Sequence, residues 1–175
     1  MQNKHIVVKK YLEDYSLVES NIISFNNFIE KRIQEIVSEI SETIVNDEFE
    51  ITLGRIRVGK PNIIESDGSS SLVMPYEARL RNLTYSAPIT LEITIKKDGQ
   101  IDSDDVEIGR IPVMVGSKVC NTYGLSKDEL IKQYNDPIDP KGYFIVNGNE
   151  RVMIMSEDLA ENQPFIEKNS KGNLH

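Results

Sequence analysis

The segment that most constrains the fold spans residues 136–160, DPIDPKGYFIVNGNERVMIMSEDLA, and is dense in turn-forming and apolar residues. Two runs that favour strands, residues 143–146 and 152–155, flank Asn147-Gly148. This dipeptide adopts the positive φ angles of a tight turn at little cost. The segment therefore predicts a β-hairpin.

Two charged residues, Glu150 and Arg151, follow the turn, and we expect them at the tip of the hairpin. From the pattern alone they are typical of a sheet edge whose charges prevent pairing with other chains. An arginine at such a rim can also fork onto phosphate oxygens. The alternative is a surface ion pair of Arg151 with Glu150 or Glu157, worth at most about 1 kcal/mol.

A helix is predicted over residues 19–44, because apolar residues recur there every three or four positions. They form one stripe, which we expect to be buried: Ile22, Phe25, Ile29, Ile33, Ile36 and Ile40. Residues 1–18 show no clear period and predict a flexible arm with a single helical turn near residues 8–15.

Alternation of apolar and polar residues predicts a strand at 48–58, with a bulge where Gly54 shifts the phase. Arg55, Arg57 and Lys60 would then project from one face, either as a basic cluster or as a solvated surface. Residues 89–95 and 106–115 predict a second hairpin that turns at 97–99. Near it, Asp102, Asp104 and Asp105 fit a solvated loop better than a Mg²⁺ site, which needs set ligand positions and a tight glycine. Pro112 predicts an edge or a bend.

Pro75 opens a predicted short helix that carries Arg79 and Arg81. Two residues apart on a helix, these arginines point in different directions. One could face solvent or nucleic acid while the other pairs with a carboxylate such as Glu77. A capping box at Ser126 predicts a further helix that ends near residue 134.

The chain has 175 residues, enough for one good hydrophobic core. Hydrophobic and charged fractions of 39% and 27% are those of a globular protein, and no apolar run approaches the roughly 20 residues needed to cross a bilayer. A single cysteine, Cys120, and two histidines, His5 and His175, predict no disulfide, zinc site or Ser-His-Asp triad. We therefore expect a reducing compartment and no nucleophilic catalysis.

The net charge of −8 opposes a free-standing nucleic-acid-binding role, since phosphate neutralisation supplies most non-specific affinity. A local basic face remains compatible with this charge. Two hypotheses are compatible with the charge: a local basic face with acidic surfaces elsewhere, or a free acidic protein-interaction domain with no nucleic-acid role.

Four blocks in order support the first hypothesis. They are LGRIRVGKP at 53–61, PYEARLRNLTYSAP at 75–88, IGRIPVMVGSKVC at 108–120, and GYFIVNGNERV followed by SEDLA within 142–160. These blocks resemble the N-terminal protrusion region of the second-largest (B/beta-type) subunit of archaeal and eukaryotic multisubunit DNA-directed RNA polymerases. The resemblance covers residues 20–167. The family usually has glycine where this chain has Lys141.

The resemblance implies an α+β, protrusion-like fold in which the long helix packs on an antiparallel or mixed sheet with hairpins. It divides the chain into a flexible arm (1–18), the first segment of the protrusion (19–168) and a boundary or linker (169–175). Because the family's second protrusion segment is not in this chain, we expect exposed apolar surface.

Function is also implied by the resemblance: a non-catalytic wall of the nucleic-acid cleft, located in the cytoplasm. No cofactor is expected in this chain, since another subunit binds the Mg²⁺ of the parent enzyme. The implied partners are other polymerase subunits, the remainder of the same subunit, DNA, the RNA-DNA hybrid and an initiation factor. Arg151 is the leading nucleic-acid-facing candidate, followed by Lys118, Arg79 and Arg81.

Overall fold

Short helices and antiparallel sheets make this an α+β protein, as the sequence predicts. The computed structural model describes residues 4–41, 49–97, 99–154, 156–163, 166, 168 and 170–172. The helical elements are α1 (Lys4–Asp14), α2 (Glu19–Asn27), a π-helical turn (Phe28–Arg32), α3 (Ile33–Ser41), α4 (Pro75–Leu80) and α5 (Lys127–Lys132). The strands are β1 (Phe49–Val58), β2 (Asn62–Ile64), β3 (Ser70–Leu72), β4 (Ser86–Lys97), β5 (Gln100–Pro112), β6 (Phe144–Val146) and β7 (Asn149–Arg151).

The largest sheet has the antiparallel order β1-β4-β5. The register of β1 against β4 shifts between Leu53 and Ile56, which confirms the bulge predicted at Gly54. Because side chains alternate across a strand, this register collects apolar residues on one face. That face contains Ile51, Leu53, Ile56, Val58, Ile89, Leu91, Ile93 and Ile95.

Strand β5 is an edge of this sheet, one of the two positions that Pro112 predicts, and the strand ends at that proline. The prediction that Asp102, Asp104 and Asp105 lie in a loop is wrong, since all three pair with residues of β4. They are exposed, and Asp105 accepts a hydrogen bond from Arg57 at 2.7 Å across the polar face. Carboxylates are tolerated in this strand because its side chains are solvated.

The helix predicted over 19–44 differs from the structure in its regularity and in its buried face. A π-helical turn separates α2 from α3, helix α3 ends at Ser41, and residues 42–44 lie outside the described part of the chain. A π-helical turn inserts an extra residue and so rotates the face of the helix that follows. Phe25 is buried as expected, but beyond the turn Val37 is buried and Ile36 is 44% exposed. The predicted burial of Ile36 and Ile40 is therefore wrong.

Helix α3 satisfies the backbone of β1 at its bulge. The side-chain amide of Gln34 donates to the Gly54 carbonyl oxygen at 3.1 Å, and its oxygen accepts from the Ile56 amide at 3.0 Å. The Ser41 hydroxyl accepts from the Leu53 amide at 3.1 Å. Unpaired backbone groups at a sheet edge attract other chains, so these bonds stabilise the edge and fix the helix against it.

The main core lies where three distant segments meet at Tyr85, which is fully buried. The Tyr85 amide donates to the Ile145 carbonyl at 2.9 Å, and the Tyr85 carbonyl accepts from the Val113 amide at 2.8 Å. The buried apolar side chains of this cluster are Val73, Ala78, Tyr85, Ala87, Val113, Val115, Cys120, Tyr143 and Ile145.

Two smaller predictions concern the start of α5 and the helical content of the N-terminal arm. The capping box at Ser126 is present, with the Ser126 hydroxyl accepting from the Glu129 amide and the Glu129 carboxylate accepting from the Ser126 amide. The arm contains an 11-residue helix, α1, rather than a single turn. None of the described helices has the length and apolar character that crossing a lipid bilayer requires.

Replacing Val37 with alanine should lower the free energy of unfolding by about 1 to 3 kcal/mol, because a buried side chain is lost. The matched control Ile36→Ala removes a more exposed β-branched residue from the same helix and should cost under about 1 kcal/mol. Chemical denaturation of both variants measures the difference. An equal or larger loss in Ile36→Ala would contradict the rotated face.

Gln34→Met keeps the length of the side chain but removes both bonds to the β1 bulge. It should lower the free energy of unfolding by about 1 to 3 kcal/mol, the cost of leaving partly buried backbone groups unpaired. Glu39→Met, at an exposed position of the same helix, controls for changes in helix propensity. Equal free energies of unfolding of the two variants in urea would contradict a stabilising role of the Gln34 hydrogen bonds.

Candidate nucleic-acid interface

The hairpin predicted around Asn147-Gly148 is present as β6 and β7. Asn147 and Gly148 have φ angles of 49° and 75°, which a two-residue turn of this class requires. The second strand, however, is Asn149–Arg151 and not residues 152–155. Residues 152–154 are exposed and outside any strand, and residue 155 lies outside the described part of the chain. A two-residue turn pairs its flanking residues at once, so the strand begins immediately after Gly148.

This turn is docked against the chain that follows α4. The Gly148 amide donates to the Leu83 carbonyl at 2.9 Å, and the Asn147 amide donates to the Thr84 hydroxyl at 3.2 Å. A Cβ added to Gly148 would lie 2.7 Å from Asn82 Oδ1 and 2.9 Å from Asn82 Cα. Glycine is therefore needed at this position both for its positive φ and for the close approach of another backbone.

The register gives the hairpin two different faces. Ile145 pairs with Glu150, and Phe144 pairs with Arg151. Directly opposed residues share a face, so Glu150 lies on the side of the fully buried Ile145. Arg151 lies on the other side, with Phe144, whose ring packs edge-on against that of Phe25. The hairpin thus separates its glutamate from its arginine.

Arg79 of α4 holds the glutamate. One guanidinium nitrogen, Nη1, donates to Glu150 Oε1 at 2.9 Å and to the Tyr143 hydroxyl at 2.7 Å. Partial burial by itself lowers the pKa of Arg79. The hydrogen bond to Tyr143 and the negative charges of Glu150 and Asp139 outweigh this effect, so the pKa lies above its ordinary value. The Arg79 guanidinium therefore carries its positive charge within this network.

Tyr143 extends this network to the loop before the hairpin. Its hydroxyl donates to the carboxylate of Asp139, whose other oxygen accepts from the Lys141 amide at 2.8 Å. Burial, together with the hydrogen bond to Asp139, raises the pKa of Tyr143. The tyrosine is thus a neutral donor, and Asp139, Tyr143, Arg79 and Glu150 form one continuous chain of hydrogen bonds.

Arg81 is engaged by two carboxylates. Its guanidinium donates to both oxygens of Glu65, at 2.9 and 3.1 Å, and to Glu77 at 2.8 Å. These hydrogen bonds, the one to Glu65 being the stronger influence, raise the pKa of Arg81. The predicted pairing with Glu77 is confirmed for Arg81. Arg79 also pairs with a carboxylate, Glu150, so neither arginine is the unpaired one that the sequence allowed.

Lys118 lies apart from the hairpin contacts, against the N-terminal helices. Its ammonium donates to Glu30 at 2.6 Å, and its amide donates to Asn26 at 2.9 Å. The hydrogen bond to Glu30 raises the pKa of Lys118. Lys60 donates to the carbonyl oxygens of Lys118 and Cys120, beside an open groove of about 300 Å³. With Arg57 bonded to Asp105, the basic residues around β1 do not form the free cluster that the sequence allowed.

Arg151 differs from the other three candidates. It is exposed, and among the residues that the structure describes it forms no ion pair. Glu150, one of the two partners considered from the sequence, is bonded to Arg79 instead. The structure therefore presents Arg151 to solvent with its donors free of the described carboxylates.

Sequence reasoning missed Glu150, Tyr143 and Asp139 as members of the site. Because residues 152–154 are apolar, the second strand was predicted too far along the chain. Glu150 was therefore assigned to the turn and not to either face of the hairpin. Placing a two-residue turn strictly on Asn147-Gly148 pairs Ile145 with Glu150, and this register is the signal that could have found the inward-facing glutamate.

Comparison with known proteins identifies the family. A family model described as RNA polymerase beta subunit matches residues 16–166. The chain belongs to this family. It is 45% identical over 169 residues to "DNA-directed RNA polymerase subunit Rpo2N" of Methanocaldococcus jannaschii, an alignment that covers 93% of this chain and 34% of that relative.

Two other relatives agree. "DNA-directed RNA polymerase subunit Rpo2N" of Halobacterium salinarum is 41% identical over 183 residues, with 97% of this chain and 35% of the relative covered. "DNA-directed RNA polymerase subunit Rpo2" of Saccharolobus solfataricus is 39% identical over 168 residues, with 95% and 15% covered. The chain therefore spans about a third of the length of its Rpo2N relatives.

At Lys141 the resemblance noted from the sequence led us to expect glycine, and the backbone there has a conformation that suits glycine. Lys141 has a φ of 67°, in the left-handed region that costs a side chain energy and glycine little. The hydrogen bond from its amide to Asp139 holds this conformation. A glycine at position 141 would adopt this conformation at lower cost.

Gly148→Ala should destabilise the protein by about 3 kcal/mol, because the new methyl group would meet the backbone of Asn82 in addition to the strained φ. Gly124→Ala is the matched control, since Gly124 has a φ of 80° and open space around its Cβ position. It should cost only the conformational strain, about 1 to 2 kcal/mol. Thermal unfolding of both variants compares them, and equal losses would show that the turn is not docked.

Proposed function

We propose that the chain is a non-catalytic, protrusion-like part of the second-largest subunit of DNA-directed RNA polymerase, and that it forms a wall of the nucleic-acid cleft. Within this wall, Arg151 approaches the RNA-DNA hybrid. The observation that carries the proposal is that Arg151 stands exposed beside a docked turn, without an ion pair among the described residues.

The state of the other candidates supports this choice. Arg79, Arg81 and Lys118 each donate to a glutamate at 2.9 Å or less. A paired cation must give up its partner before it can bind a phosphate, whereas an unpaired arginine can fork onto phosphate oxygens directly. Pairing of the other three candidates leaves Arg151 as the one of the four whose charge is free to contact phosphate, even in a chain with a net charge of −8.

Partners follow from the family and from the open surface. The Rpo2N relatives are about three times longer than this chain, and apolar side chains on the sheet remain partly exposed, among them Ile95 at 43% and Val106 at 40%. The proposal assigns this surface to the remainder of the same subunit. Other polymerase subunits, DNA and an initiation factor complete the assembly, which acts in the cytoplasm.

Catalysis belongs to other parts of the assembled enzyme in this proposal. Within the described ranges, which omit 42–48 and short gaps elsewhere, no group of three or more His, Cys, Asp or Glu side chains could hold a metal ion. The proposal assigns the Mg²⁺ of nucleotidyl transfer to another subunit and expects no cofactor in this chain.

In polymerase assembled with this chain, Arg151→Ala should speed the dissociation of a bound RNA-DNA hybrid complex more at low salt than at high salt. Each lost phosphate contact lowers the slope of log affinity against log salt by roughly one unit. Dissociation rates measured across a potassium chloride series test this expectation.

Lys132→Ala, which removes an exposed charge from α5, is the matched control and should dissociate like wild type. If Arg151→Ala complexes also dissociate like wild type at every salt concentration, Arg151 does not contact nucleic acid. An assembled enzyme in which neither this residue nor any other exposed cation of the chain affects the salt slope would favour a purely protein-interacting role.

A further inference from the structure

We propose that Arg79 assists nucleic-acid binding without contacting nucleic acid, by holding the Glu150 carboxylate away from Arg151. This inference rests on the proposed function of Arg151. It assigns Arg79 the role of a positioning residue and replaces the expectation, drawn from sequence, that Arg79 itself faces nucleic acid.

The geometry places the Arg79 guanidinium on the inner side of the hairpin. Its Nη1 donates hydrogen bonds to both Glu150 and Tyr143, and the guanidinium carbon Cζ lies 5.9 Å from the centre of the Tyr143 ring. The Arg79 side chain is only 28% exposed, whereas that of Glu150 is 55% exposed. The arginine is therefore the more buried partner, and it restrains the more exposed glutamate.

A second contact ties the same helix to the hairpin turn. The Arg79 carbonyl would lie 3.2 Å from a Cβ on Gly148, whose amide donates to Leu83. These backbone contacts do not depend on the Arg79 side chain. Removing the guanidinium should therefore free Glu150 while the turn stays docked.

A freed Glu150 is the nearest carboxylate in sequence to Arg151. Adjacent residues of a strand point to opposite faces, yet both side chains are long and reach solvent at this narrow two-stranded hairpin. The carboxylate could then pair with Arg151 or repel an approaching phosphate. Glu150 bonded to Arg79 does neither, because its charge is already compensated on the inner face.

Four variants of the assembled polymerase separate this role from direct contact: Arg79→Met, Glu150→Gln, the double variant Arg79→Met/Glu150→Gln, and Arg151→Ala. Methionine keeps an unbranched apolar side chain over the Tyr143 ring. The measurement is the dissociation rate of an RNA-DNA hybrid complex at low and high salt.

Arg79→Met should speed dissociation at low salt about two- to fivefold, the usual size of a surface charge interaction. Glu150→Gln should leave the rate unchanged or slow it. The double variant should return to within about twofold of Glu150→Gln. This rescue is specific to the proposal, because glutamine at position 150 cannot restore a phosphate contact that Arg79 has lost.

A double variant that dissociates as fast as Arg79→Met would overturn the proposal. Hydrogen exchange of the Gly148 amide then identifies the alternative: protection as in wild type indicates that Arg79 contacts nucleic acid, and lost protection indicates a purely structural role. The proposed function fails separately, if Arg151→Ala has no effect while the Arg79 and Glu150 variants still differ.

Discussion

The burial of Tyr85 between two distant segments is the constraint on which the rest of the structure depends. The Tyr85 amide donates to the Ile145 carbonyl, and the Tyr85 carbonyl accepts from the Val113 amide. Residues far apart in sequence therefore become neighbours in one core. Its hydroxyl accepts from the Asn121 amide at 2.9 Å and lies 3.3 Å from Cys120 Sγ, which ties down the loop after β5. Burial and the contact with Cys120 raise the pKa of Tyr85, so the hydroxyl stays neutral. A buried tyrosine with satisfied polar atoms can organise a core that an unpaired one would destabilise.

This core also builds the candidate interface. Because the segment around Tyr85 follows α4 and pairs with β6, the helix and the hairpin are pressed together, and Arg79 meets Glu150. The docked turn then sets which strand face points inward. The charge pattern of the site is thus a consequence of backbone pairing: one face of a three-residue strand meets an arginine, and the other presents an arginine to solvent.

Acidic composition and a nucleic-acid-facing role are compatible in this arrangement. Most of the basic candidates serve the fold: Arg81 joins α4 to the loop after β2, Lys118 joins a loop to the π-helical turn, and Arg57 crosses the sheet to Asp105. Net charge describes the long-range field of a domain, whereas a phosphate contact depends on which cation is unpaired at one position. Pairing between side chains, rather than their number, therefore decides which residue is free to act.

The sequence by itself indicated the α+β class and the family, through four motifs spread over residues 53–160. It also determined local features from residues close together in the chain: the Asn147-Gly148 turn, the bulge at Gly54 and the Ser126 capping box. These features depend on backbone preferences and short-range hydrogen bonds, which neighbours alone can specify. Only the tertiary structure decided that Val37 and not Ile36 is buried, because the π-helical turn rotates the helix. It alone paired Arg79 with Glu150, because these residues lie 71 positions apart and are brought together by the core around Tyr85, not by any periodicity in the sequence.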